Sequence, residues 1–208
     1  MTTYIGNTRY KAMVGGERSS LISSLITKPY DAEIEYLEST GTQWIDTGII
    51  PDSNTIVQFK FVNLYITGDV IIGYFTNDTN DWRLFNNAST CYFDMPNSER
   101  IAGGNIHENT QYELELGNYY VKDLDTGINI VSGNSTSYTG TGSITLNNYN
   151  NVSFSRNRWY YVKIYSGSVL VRDMIPVRIG QIGYMYDKVS KQLFSNAGTG
   201  EFILGPDV

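Results

Sequence analysis

The chain has 208 residues and a mass of 23.4 kDa, room for one large domain and a short appendage. Fifteen basic against 21 acidic residues leave a net charge of −6, and there is a single cysteine; nucleic acid, which rewards clustered Lys and Arg, is disfavoured, and an internal disulfide is excluded. Charged residues reach only 17% while aromatics reach 13%, 17 of them Tyr, which argues against a helix bundle and against disorder, and no run approaches the ~20 apolar residues of a membrane span.

Residues 1–30 read as a separate attachment segment, and 31–208 as the main domain. Tyr4-Ile5-Gly6-Asn7-Thr8-Arg9 and Met13-Val14-Gly15-Gly16-Glu17-Arg18 repeat an apolar pair, a glycine and a polar turn. Such a piece cannot bury a core alone, so it is expected to form a β-ribbon on another chain; the alternative is a first hairpin of the same sandwich. Leu21, Ile22, Leu25 and Ile26 have helical spacing over Ser19–Thr27. Pro29 interrupts the chain before the main domain. A basic start followed by an apolar run is missing here, so no secretory leader is expected. The sequons at Asn77, Asn87, Asn134 and Asn151 are then accidents of composition.

From Thr55 onward the period is two. Val57, Phe59 and Phe61 alternate with Ile56, Gln58 and Lys60. Val70–Phe75, Asp81–Phe85 and Thr90–Met95 follow as strands. In Gln111–Leu116, Tyr112, Leu114 and Leu116 oppose a wet face of Gln111, Glu113 and Glu115. Tyr119–Lys122, Ile128–Val131, Ser143–Leu146 and Val152–Ser155 come next. In Trp159–Tyr165, strict alternation puts Tyr160, Val162 and Ile164 on one face and Trp159, Tyr161, Lys163 and Tyr165 on the other. Ser168–Arg172, Gln181–Asp187 and Gly200–Leu204 complete the set. Turn signals such as Asp125-Thr126-Gly127 and Ser166-Gly167 separate them. Many short strands so punctuated predict an all-β, antiparallel β-sandwich.

Two long motifs carry a resemblance. Glu35-Tyr36-Leu37-Glu38-Ser39-Thr40-Gly41-Thr42-Gln43-Trp44-Ile45-Asp46-Thr47-Gly48 resembles the opening of concanavalin A-like (laminin-G-like) jelly-roll domains, common in gut bacteriophage virion proteins and bacterial surface proteins. Val162-Lys163-Ile164-Tyr165, Leu170 to Val177, Gly183 to Val189 and Phe194 to Gly200 resemble that family's closing strands. The resemblance covers roughly residues 33 to 206. Its glycines and aromatics have structural jobs. Trp44 is expected as a core anchor, Pro176 at an edge or corner, and Asn196–Gly200 as a turn that returns Phe202 and Leu204 to the first strand.

Catalytic groups are sparse. Glu113 with Glu115, and Glu33 with Glu35, each stand at i and i+2 on one strand face, the arrangement a retaining glycosidase needs if the carboxyls come ~5 Å apart. Glu113 and Glu115 read instead as a solvated face, and no catalytic residue is assigned. His107 sits among loop residues, and Cys91 between Thr90 and Tyr92 reads as a buried small hydrophobe. Asp69, Asp78, Asp81, Asp94, Asp123 and Asp125 offer oxygen ligands without an EF-hand spacing, so neither metal nor cofactor is assigned.

A sugar site is the better expectation. Asn80, Asp81, Trp82, Arg83, Asn86, Asn87 and Tyr92 bring together aromatic faces and the hydrogen-bonding groups that hold sugars. The alternative puts Trp82 and Tyr92 in the core and leaves the asparagines to shape loops. The resemblance implies a bacteriophage virion structural protein: a head fibre, head decoration or tail-appended module, made in the bacterial host cytoplasm and contacting host surface glycans. Residues 1–30 would attach it to other virion proteins, and analogy with phage fibres implies a homo-oligomer, a trimer by expectation. The alternatives are a bacterial carbohydrate-binding surface protein and a glycoside hydrolase.

Overall fold

The computed structural model describes residues 3–5, 8–10, 28–66, 68, 70–77, 80–88, 90–96, 100–135, 137–149 and 153–208, with backbone alone at 3–5, 8–10, 149, 153 and 154. The helical spacing over Ser19–Thr27, too short to predict a helix, and the repeat at Met13–Arg18 lie outside these residues. No helix occurs among the described residues.

The strands are, in order, β1 (Thr3–Ile5), β2 (Thr8–Tyr10), β3 (Ala32–Glu33), β4 (Leu37–Glu38), β5 (Ile45–Asp46), β6 (Thr55–Asn63) and β7 (Val70–Asn77). There follow β8 (Asn80–Asn87), β9 (Thr90–Asp94), β10 (Ile101–Asn105), β11 (Gln111–Gly117), β12 (Tyr120–Asp123), β13 (Asn129–Ser132) and β14 (Thr145–Leu146). The last are β15 (Asn148–Tyr149), β16 (Ser153–Phe154), β17 (Asn157–Ser166), β18 (Val169–Ile179), β19 (Ile182–Asp187), β20 (Gln192–Phe194) and β21 (Ile203–Leu204). Near the start β1 pairs antiparallel with β2, Thr3 opposite Tyr10.

Two antiparallel sheets make the sandwich. The larger runs β13-β12-β11-β6-β17-β18-β19-β20, with β3 beside β18 and with β4 between β17 and β21; the smaller runs β10-β9-β8-β7-β14-β5. Alternation decides what lies between them. Val57, Phe59 and Phe61 from β6, Leu114 and Leu116 from β11, and Val162 and Ile164 from β17 face Ile72, Trp82, Leu84, Cys91 and Phe93 of the smaller sheet in one core. Burying Trp82 and Trp159 removes ~150–250 Å² each from water, roughly 4–6 kcal/mol apiece at ~25 cal/mol per Å². On one side the sandwich is closed by contact between β10 and β13. Gly103 permits it, because a Cβ there would stand 2.2 Å from the Ile130 carbonyl oxygen.

Three sequence expectations change. Trp44 is not a core anchor: it is half-buried, its backbone N–H donates to Asn196 Oδ1 at 3.2 Å, and its neighbour Ile45 enters the core instead. Pro176 sits within β18, opposite Met185, and not at its end. It is tolerated because β18 exchanges neighbours there: β17 pairs up to Met174, β3 pairs from Val177, and Ile34 N–H donates to the Pro176 oxygen at 3.1 Å. The N–H that proline lacks faces that junction. Third, Trp159 lies in the core with Val162. Between Trp159 and Tyr161, β17 spends two residues where β6 spends one, since Trp159 faces Phe61 and Tyr161 faces Lys60. That β-bulge at Tyr160 inverts the parity of the strand. The return of the chain end holds: Leu204 pairs Leu37, and Phe202 is in the core.

Candidate functional site

The segment singled out in the sequence becomes β8, β9 and the turn between them. Its residues separate by parity. Trp82 and Asn86 point inward; Trp82 packs edge-on against Phe93 at 5.4 Å, and Asn86 Nδ2 donates to Asn63 Oδ1 at 3.3 Å. Asp81, Arg83 and Phe85 are on the other face, beside Tyr92 and Asp94 of β9. Asn80 opens the strand and is half-buried, while Asn87 ends it and is exposed.

The outward residues form a chain of ions. Arg83 Nε lies 3.1 Å from Asp81 Oδ2, and its Nε and Nη2 donate to Asp94 Oδ2 at 2.9 and 2.7 Å. Arg100 grips the same carboxylate with Nε to Oδ1 and Nη2 to Oδ2, both at 3.0 Å. Burial, then the Asp94 charge, pushes the Asp81 carboxyl up to about 7, with Arg83 opposing. Burial also acts on Asp94, but the hydrogen bonds from Arg100 and Arg83 outweigh it and hold that group below the usual carboxylate range. Phe85 is claimed on all sides: the guanidinium groups of Arg83 and Arg100 lie 5.0 and 4.8 Å from its centroid, and Tyr92 stacks on it at 5.2 Å. A sugar ring therefore finds Tyr92 and the edge of Arg100 here, and no free Phe85 face.

The outer face of the larger sheet holds a second aromatic group, which alternation alone concealed. In register across three strands stand Glu113 of β11, Lys60 of β6 and Tyr161 of β17. Two strand spacings separate the outer members by roughly 10 Å, yet Tyr161 OH donates to Glu113 Oε1 at 2.6 Å. The phenol must lie across β6 to reach it, so its ring is laid along the sheet. Burial, and then the bond to Glu113, pushes the phenol well above the usual tyrosine range. The bulge turns Tyr160 to the same side, where Lys60 Nζ lies 5.8 Å from its ring centroid and Tyr36 meets it edge-on at 5.9 Å. Arg158 covers Tyr36 at 4.8 Å and pairs with Glu38. Lys163 Nζ lies 5.5 Å from the Tyr161 centroid. The sequence signal was the adjacent Tyr160-Tyr161 pair inside a strand, which strict alternation assigns to opposite faces.

Three of the four paired carboxylates, Glu33, Glu113 and Glu115, are occupied as acceptors, and Glu35 is exposed. Glu115 receives Gln58 Nε2 at 2.7 Å and Tyr120 OH at 2.8 Å. Glu33 Oε1 receives Lys28 Nζ at 2.7 Å and Tyr30 OH at 2.8 Å, and those bonds keep its carboxyl below the ordinary value. Cys91 is fully buried, with its thiol pushed up to about 12 by burial. His107 is exposed. Among the described residues no group of three or more His, Cys, Asp or Glu is arranged to hold a metal ion.

No protein family matches the chain, and no curated protein matches it. Among solved structures, the sandwich is similar to that of a candidate carbohydrate-binding protein from Bacteroides ovatus ATCC 8483, with a TM-score of 0.50 and 10% identity over 84% of this chain. The match spans 60% of that protein's length. At this identity the likeness is one of fold.

Proposed function

We propose that the chain is a carbohydrate-binding β-sandwich carried on a bacteriophage virion as a head fibre, head decoration or tail-appended module. The observation behind the binding half is the Tyr161 ring, tethered across the sheet by Glu113 and flanked by Tyr160, Tyr36 and Lys60. Sugars are held by aromatic faces with hydrogen-bonding groups at their rims, and this face supplies both on a rigid sheet. The fold shared with the Bacteroides ovatus protein is compatible with it. One shallow site would bind at millimolar to micromolar strength, ~−4 to −8 kcal/mol. Repetition on a particle would raise avidity by ~10²–10⁴, which suits display better than a free monomer.

The virion half rests on the resemblance of the opening and closing motifs to jelly-roll domains of phage particles. In this reading residues 1–30 attach the domain to other virion proteins, and copies assemble as a homo-oligomer. The test is to purify particles, detect the chain in them, and compare full-length protein with one starting at Asp31. Incorporation of the full chain and loss of the shortened one is expected. A chain absent from particles overturns the virion half; the rival is then a bacterial surface carbohydrate-binding protein, which the bacterial source of the structural neighbour favours. A glycan panel tests the binding half independently.

A further inference from the structure

The tyrosine face carries two cations whose placement narrows the ligand. Lys60 on β6 stands opposite Tyr161, and Lys163 stands two residues further along β17, opposite Gln58. They are thus diagonal neighbours on one face, ~7–8 Å apart at the backbone. Among the described residues neither ammonium has a carboxylate within ion-pair distance. Each is instead held over a ring, Lys60 over Tyr160 and Lys163 over Tyr161, a contact weaker than an ion pair to a carboxylate.

The neighbouring carboxylates have other partners. Glu113 accepts Tyr161 OH, Glu115 accepts Gln58 and Tyr120, and Asp173, in register with Lys163, has Lys188 at 4.0 Å. Glu113 and Glu115 are held by these hydrogen bonds, while the two ammonium groups are held only by their ring contacts. A ring stacked on Tyr161 would have both ammonium groups at its rim. An acidic substituent on that ring would exchange two weak cation–π contacts for charge-assisted hydrogen bonds.

We infer that this face is selective for acidic glycans, sugars bearing carboxylate groups, with Lys60 and Lys163 as the residues that read the acid; this rests on the carbohydrate-binding reading above. The chain's net charge of −6 does not oppose it strongly, because charges beyond ~8 Å are screened at physiological salt. The fixed acids nearby keep the local sum near neutral, so the lysines confer selectivity and not long-range attraction.

The test uses the full chain on immobilised alginate and polygalacturonate, with dextran and xyloglucan as neutral probes. Acidic polymers are expected to bind at least tenfold tighter. Lys60→Gln with Lys163→Gln should remove that margin, and a variant that keeps it overturns the inference, whereas Lys191→Gln, on the β19–β20 turn, should change nothing. Tyr161→Ala should weaken acidic binding as well. Equal binding of neutral and acidic polymers, or equal loss in the Lys191→Gln control, overturns the inference while leaving carbohydrate binding standing. Failure to bind any of the four polymers overturns both.

Discussion

The indole N–H of Trp159 donates to Asn147 Oδ1 at 2.8 Å, so a strand of the larger sheet is tied to a residue whose own N–H is bonded to Ile71 of the smaller one. The same oxygen accepts Asn157 Nδ2 at 2.8 Å and Ser155 Oγ at 3.2 Å, and Asn157 Oδ1 accepts Asn63 Nδ2 at 2.8 Å. Asn63, Asn147, Ser155 and Asn157 are all fully buried. Buried polar groups of this kind cost heavily when one partner is removed.

Asn147→Ala should therefore destabilise the protein by roughly 2–4 kcal/mol, because three donors lose one acceptor and because Asn147 sits at φ 67°, where Asn is tolerated better than Ala. Urea unfolding followed by tryptophan fluorescence measures it. A loss under about 0.5 kcal/mol, the range of an ordinary surface substitution, would remove the junction's structural importance.

Tyr161→Phe keeps the ring and loses the tether to Glu113. Glycan binding should fall several-fold, with stability little changed, while Tyr161→Ala should cost about tenfold, in line with ~1.4 kcal/mol, near the upper end for a lost aromatic contact. Isothermal titration separates the two variants. If both bind as well as the parent, the platform is not the site.

On the binding reading, incubation with bound polysaccharides releases no reducing ends. Release that is abolished by Glu113→Gln or Glu33→Gln would replace that reading with a glycosidase, and a reducing-sugar assay decides it.

Asp81 supplies a pH dependence. Its folded pKa of about 7 lies above the ordinary 3.8, so the folded state binds the proton more tightly than the unfolded one. This contribution is fully present below pH ~3.8 and is lost as pH rises through 7. Asp94 acts in the opposite sense: its carboxyl is held below the ordinary value, so its contribution is lost on acidification. Stability should decline between about pH 4 and 7, and Asp81→Asn should flatten that decline. Melting temperatures across the range check it; an unchanged slope in the variant would assign the decline elsewhere.

Gly73 should not tolerate a side chain. It has φ 146°, and a Cβ would stand 2.2 Å from the Trp82 oxygen and 2.4 Å from Arg83 Cα. Both are backbone atoms of the adjoining strand and cannot swing aside. Gly73→Ala should cost on the order of 2–4 kcal/mol, read from the denaturation midpoint. A midpoint equal to the parent's would mean that β7 and β8 separate freely.

Much of the fold was legible because burial on a half-exposed sheet imposes a period of two. Val57, Phe59 and Phe61 in β6, and Leu114 and Leu116 in β11, went inward as their spacing required. The site was less legible. Alternation says that a strand has two faces but not which one meets the core, so Trp82 and Arg83 stood alike until one face of the smaller sheet packed against the larger. Only then did Trp82 become core and Arg83 part of an ion chain.

By itself, then, the sequence determined an all-β sandwich and many of its strands, because those follow from local alternation and turn residues, though not β10, β20 or the far half of β18. It also determined the contact between the two chain regions that carry the opening and closing motifs. Tertiary structure decided which tryptophans anchor the core, where β18 changes neighbours around Pro176, and which tyrosines share a face. The extra residue at Tyr160 shows the reason. A bulge exists only when a second strand is there to count against, and one unpaired residue reverses every side chain beyond it. That reversal sends Trp159 inward and turns Tyr160 and Tyr161 to the same surface.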